Sequence, residues 1–193
     1  MQSPNTRSPA ASMADVPPVS TGASTAAPVG LYTPEQRIRR DESVWTLVQG
    51  ILAPVQFVVF LVSLGLVVRF LVTGEGQDAA TWSVVIKTLT LYTIMITGCI
   101  WEKVVFDMWL FAPAFYWEDM FSMAVLALHT AYLWALFTGA LDAQGLMWLA
   151  LLAYATYVVN AGQFIWKLRM ARLQTAAQDA LAKQAAQTAG VAA

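Results

Sequence analysis

Apolar residues are concentrated in four long stretches of the chain. From Ser43 to Val68 no residue is charged, a run of 26. Between Asp119 and Asp142 lie 22 residues whose only ionisable side chain, tyrosines apart, is His129; between Asp142 and Lys167 lie 24 without a charge. Each reaches the ~20 residues that carry an α-helix across hydrocarbon. The remaining stretch is interrupted, because only 14 residues separate Lys87 from Glu102. A span there has to include one or both of them near its ends. Lys87 is expected to snorkel outward along its aliphatic stem, whereas Glu102 has a shorter stem and less room to escape. The pattern predicts spans near 47–72, 83–105, 119–138 and 145–166, and an all-α, polytopic membrane fold.

The flanks read differently. Residues 1–30 hold five of the eight prolines with Ser, Thr and Ala, lack the apolar core of a signal peptide, and are expected to be a disordered tail. Thr33, Pro34 and Gln36 form a helix start: N-cap, first-turn proline and a capping-box partner three residues on. Residues 31–173 then form one four-helix domain, and the Ala/Gln-rich 174–193 is a tail that frays from the last helix. Arg37, Arg39 and Arg40, then Lys103, then Lys167, Arg169 and Arg172 lie on one side, while the connections 73–82 and 139–144 contain no Lys or Arg. The positive-inside bias puts both termini and the 106–118 connection in the cytoplasm.

Composition narrows the chemistry. The 193 residues are 58% hydrophobic and 12% charged, with mean hydropathy +0.57; a soluble domain carries about twice that charge. A net charge of −1 supplies no basic field for nucleic acid. One cysteine, Cys99, and one histidine, His129, exclude a disulfide framework, a zinc or iron–sulfur cluster and a bis-histidine haem site built from this chain alone.

Under this topology one end of the bundle gathers Gln49 and Gln56, Glu102 and Lys103, Glu118 and Asp119, and Asn160 and Gln163. Polar side chains in hydrocarbon turn toward the bundle interior or a cavity. At about 100° per residue, Glu118, Ser122, Val125, His129 and Tyr132 share a stripe, with His129 about 16 Å deeper than Glu118. Ala127, Ala131 and Ala135 lie roughly opposite and would admit a closely packed neighbour. Gln49, Gln56 and Ser63 repeat by seven; Tyr157, Asn160 and Gln163 step by three. The expected site is a pocket acidic at its mouth with an imidazole near the midplane. Plainer readings stand beside it. Asp119 and Lys103 mark helix ends or pair with each other, His129 is a satisfied interhelical hydrogen bonder, and Gln56, Asn160 and Gln163 are packing glue. Cys99 fits as a small apolar residue, and Trp and Tyr as interfacial anchors. The connection from Phe106 to Trp117 has six aromatics in twelve residues. It is expected to lie in the headgroups or fold over the mouth, where it would suit a large, flat, amphiphilic ligand.

Several of these stretches carry a family resemblance: Leu31-Tyr32-Thr33-Pro34-Glu35-Gln36-Arg37 leading into Trp45–Phe57, then Trp101-Glu102-Lys103-Val104-Val105-Phe106, then Leu110–Asp119 running on to His129-Thr130-Ala131-Tyr132, and lastly Tyr157-Val158-Val159-Asn160-Ala161. The chain resembles the 3-vinyl (formerly 2-vinyl) bacteriochlorophyllide hydratases over roughly residues 31–173. The resemblance implies addition of water to the 3-vinyl group of chlorophyllide a, giving the 3-(1-hydroxyethyl) product of bacteriochlorophyll biosynthesis. It implies no cofactor, with chlorophyllide and water as substrates, in a bacterial inner membrane. A homo-oligomer, or contact with other enzymes of the pathway, fits the small size of the bundle.

No residue roles come with that resemblance, so they are argued from chemistry. Protonation of the terminal vinyl carbon leaves a cation that the macrocycle delocalises, and water then adds. Glu118 is the expected general acid and Glu102 the residue holding water, or the reverse; Asp119 points about 100° away from Glu118. His129 is the candidate axial ligand to the substrate magnesium, or else a base. Arg37, Arg39 or Arg40 would hold the pigment propionate, and Gln56, Tyr132, Asn160 and Gln163 would line the ring. The alternative from another class is a non-catalytic tetrapyrrole-binding or assembly subunit with the same pocket. A transporter is poorly supported, since no inverted repeat is visible.

Overall fold

A computed structural model describes residues 31–191, so the tail expected at 1–30 lies outside the described residues. These residues form five helices and no strand: α1 (Pro34–Glu42), α2 (Val44–Thr73), α3 (Gln77–Phe106), α4 (Tyr116–Thr138) and α5 (Ala143–Val191). The capping box at Thr33 and Gln36 is present. Ser43 ends α1 and caps α2 by accepting from the Trp45 amide. The α2–α3 turn uses Gly74 and Gly76 at φ 76° and 82°, a left-handed conformation that glycine adopts without steric cost.

All four long helices exceed the predicted spans, because a helix does not stop where the hydrocarbon does. The largest difference is α5, which continues to Val191 through Ala, Gln, Lys and Leu, all good helix formers. Its 49 residues extend about 74 Å, more than twice a ~30 Å hydrocarbon core. The second half of α5 therefore projects beyond the membrane, where Arg37 of α1 reaches Asp179 at 3.8 Å.

Among the described residues four helices are long and apolar enough to cross a membrane, and the bundle is apolar outside. Phe57, Val72, Phe137 and Trp148 are exposed, while Ser63, Lys87, Thr88, Glu102, Asp119 and His129 are buried. Such a distribution suits a lipid solvent, where the interior is where polar groups find partners. The helices pack as two hairpins, α2 with α3 and α4 with α5; contact between the hairpins is sparser. Ser63 ties them together, hydrogen-bonded to Tyr154 Oη at 2.5 Å and to Ser83 at 2.7 Å. The predicted α4 stripe from Glu118 to Tyr132 is buried throughout. The alanine stripe behaves otherwise: Ala135 is buried, whereas Ala127 and Ala131 face outward.

Candidate functional site

The end of the bundle that carries the α3–α4 connection holds three buried acids, Glu102, Glu118 and Asp119. Glu102, on the last turns of α3, and Asp119, on the first turn of α4, lie close enough to interact electrostatically. They are 6% and 3% exposed. Two carboxyls buried side by side can share a proton, since one must be protonated to donate to the other.

The connection holds the pair in place. Beyond Asp107 (φ 62°) the chain turns back over the bundle end, with Phe111 also left-handed at φ 60°. The Phe111 amide donates to Asp119 Oδ2 at 3.0 Å and the Ala112 amide to Glu102 Oε2 at 3.2 Å. Ala112 and Phe115 are buried. Phe115 packs against Trp101, Phe106 and Phe164, with ring centroids 5.7, 5.8 and 5.9 Å away. The aromatic connection is thus folded over the bundle end, one of its two expected placements.

Glu118 does not join the pair as expected. It accepts from Lys167 Nζ at 2.6 Å, across α4 and α5. The acid beside Glu102 is instead Asp119, which helical phase alone had turned away. Lys103 is likewise not bonded to Asp119; its Nζ lies 2.6 Å from Asp107 Oδ1, and that ammonium holds the exposed Asp107 carboxyl below the usual range.

Deeper in the bundle lies a second polar group. His129 is fully buried, with Nδ1 2.8 Å from the Val125 carbonyl and no partner at Nε2. If Nδ1 carries the proton and donates to that carbonyl, Nε2 is left as a free acceptor. Lys87 does not snorkel: it is fully buried, its Nζ 3.9 Å from the Tyr157 ring centroid. With the Gln56 amide oriented to suit its neighbours, its oxygen accepts from Lys87 Nζ at 3.0 Å and its nitrogen donates to the Thr90 carbonyl at 2.9 Å. Asn160 donates to Ser122 Oγ at 2.9 Å, leaving Asn160 Oδ1 without a partner. Gln163 Oε1 is also unpartnered, while the Tyr132 hydroxyl has Thr81 as its neighbour.

The arginines stand apart from these groups. Arg37 pairs with Asp179, and Arg40 pairs with Asp41 at 2.7 Å while stacking on Tyr32 at 4.6 Å; Arg39 is exposed. Between α1 and α5 runs an open cleft of about 560 Å³ along Tyr32, Arg37 and Gln174. A neighbouring cleft of about 410 Å³ reaches Glu118 and Lys167.

Residues 32–170 match the family model of the 2-vinyl bacteriochlorophyllide hydratases. The chain belongs to that family. It is similar to a protein of Rhodobacter capsulatus named 2-vinyl bacteriochlorophyllide hydratase, 71% identical over 150 residues, which are 78% of this chain and 87% of that protein. A protein of the same name from Cereibacter sphaeroides is 72% identical over 144 residues, 74% of this chain and 89% of its own length. No solved structure matches. All three acids, Lys87, His129 and Lys167 fall inside the matched residues. Sequence reasoning missed Lys87 as an interior group and Asp119 as the partner of Glu102. The signal for Asp119 was its position at the start of α4 opposite the end of α3; nothing local marked Lys87.

Proposed function

We propose that the chain hydrates the vinyl group of a membrane-dissolved chlorophyllide, using the Glu102–Asp119 pair as its acid. The observation that carries this reading is the meeting of two carboxyls in an enclosed place under an aromatic loop, in a member of a hydratase family. The proton on the pair passes to the terminal vinyl carbon, whose π electrons form the new C–H bond. Positive charge then rests on the carbon attached to the macrocycle. Water adds its oxygen there and returns a proton to the pair, so atoms and charge balance without a co-reactant. The Phe111 and Ala112 amides stabilise the carboxylate while the proton is away. Glu118 stays bonded to Lys167 and shapes the mouth of the site.

The product is the 1-hydroxyethyl chlorophyllide, and the pigment enters from the bilayer. Apart from Lys87 and Arg69, the Lys and Arg residues of the described helices gather at the end that carries α1 and the α3–α4 connection, which supports placing that end in the cytoplasm of a bacterial inner membrane. His129 is about 16 Å along α4 from Glu118, so a ring ligated there by its magnesium leaves its edge short of the acid pair. We therefore assign His129 to the inner wall of the site rather than to the metal.

The test supplies chlorophyllide a to membranes containing the protein and separates the products by mass. Gain of one water is expected, and it is lost in Glu102→Gln and Asp119→Asn. Pigment that binds yet is returned unchanged would favour the non-catalytic tetrapyrrole-binding reading.

A further inference from the structure

Lys87 is a buried amine with no acid beside it. Its Nζ meets one carbonyl oxygen, that of Gln56, and one ring face, that of Tyr157. Among the described residues the ion pairs involve Arg37, Arg40, Arg69, Lys103 and Lys167, not Lys87. When protonated, its nitrogen carries three N–H donors, so one remains for an anionic acceptor. Placing a cation at such depth is costly, and such residues normally mark a ligand path or a partner.

The surroundings say where that acceptor would lie. His129, from the other hairpin, is near enough to interact electrostatically with Lys87 and keeps Nε2 unpartnered. On α5, ten residues separate Tyr157, which covers Lys87, from Lys167, which holds Glu118. That is a rise of about 15 Å, close to the breadth of a tetrapyrrole with its side chains. Between the two levels lie the free oxygens of Asn160 and Gln163. The Lys87–Tyr157 contact crosses the seam between the hairpins, where helix contact is sparse.

We propose that Lys87 anchors the carboxylate of the pigment inside the bundle, seating the macrocycle in the seam with its vinyl-bearing ring turned toward Glu102 and Asp119. The proposal rests on the hydratase reading, since a chlorophyllide is a pigment whose carboxyl is not esterified. It replaces Arg37 and Arg40 as the carboxylate anchor, both of which are already engaged at the surface. An anion reaching this depth has to be carried by an apolar body, which the pigment supplies.

The experiment titrates the full chain in detergent micelles with chlorophyllide a and with its methyl ester, following the pigment absorption. Wild type is expected to bind the acid about tenfold or more tighter, as befits a charge-assisted hydrogen bond. In Lys87→Met the preference falls to about unity while the ester binds as in wild type, which reports an intact fold. Lys87→Arg keeps part of the preference. Equal binding of acid and ester by wild type, or a preference that survives in Lys87→Met, would overturn the proposal. So would displacement of the pigment by an equal concentration of oleate in wild type but not in Lys87→Met, which would give the ammonium to lipid carboxylates. Hydrated product is scored separately. Turnover without acid preference removes the anchor and leaves the hydratase, whereas acid preference without turnover removes the hydratase and leaves a carboxylate-binding site.

Discussion

Replacing Glu102 by glutamine separates chemistry from structure at the acid pair. The amide keeps the size of the carboxyl, can still accept from the Ala112 amide now 3.2 Å away, and can donate to Asp119. The fold should lose no more than one ordinary hydrogen bond, about 1 kcal/mol. The proton on the pair is nevertheless gone, and general acid catalysis contributes about 10²–10⁴ in rate. Hydration per folded molecule should fall by that factor, and likewise in Asp119→Asn. Glu118→Gln provides the contrast. It removes one partner of a 2.6 Å ion pair whose side chains are 24% and 11% exposed. A fully buried pair loses about 3–5 kcal/mol on such a change; at this rim the expected loss is about 1–3 kcal/mol of stability, with turnover within a few-fold of wild type. The assay pairs product formation from chlorophyllide with denaturant unfolding in micelles. Glu102→Gln and Asp119→Asn turning over within threefold of wild type, with Glu118→Gln inactive, would refute the assignment.

Further expectations follow from the same contacts. Adding Lys167→Met to Glu118→Gln should recover most of the stability lost by the single change, because no unpaired charge remains; unfolding midpoints of the two variants decide it. Both Phe111→Gly and Phe111→Ala lose the ring that packs on Tyr116 at 5.7 Å, but only alanine is strained at φ 60°. The glycine variant should therefore be more stable than the alanine one by about 1 kcal/mol. Ser63→Ala strips the buried Tyr154 hydroxyl of its partner and should cost about 1–3 kcal/mol in the same measurement. Because the folded Asp107 carboxyl lies below its usual range, its contribution is present above the unfolded value and lost as pH falls through the folded one. Carboxyl NMR in micelles should show its titration move up toward that of free aspartate in Lys103→Met.

The amino-acid order alone determined the four spans, the start of α1 and the burial of the Glu118–Tyr132 stripe. These features depend on hydropathy, capping and a fixed helical repeat, all of which act over a few residues. Membership of the hydratase family was also readable, through long runs such as Trp101–Phe106 and Leu110–Asp119. What only the tertiary structure decided was which polar groups meet. Phase along α4 turned Asp119 away from Glu118, yet Asp119 faces Glu102 because α3 and α4 approach from different directions and their connection donates two amides. Lys87 looked able to escape along its own stem. It remains inside because Gln56 and Tyr157, 31 and 70 residues distant in the chain, together offer an acceptor and a π face that hydrocarbon cannot. Side-chain partnership is a property of neighbouring helices, and a single helix does not encode who its neighbours are.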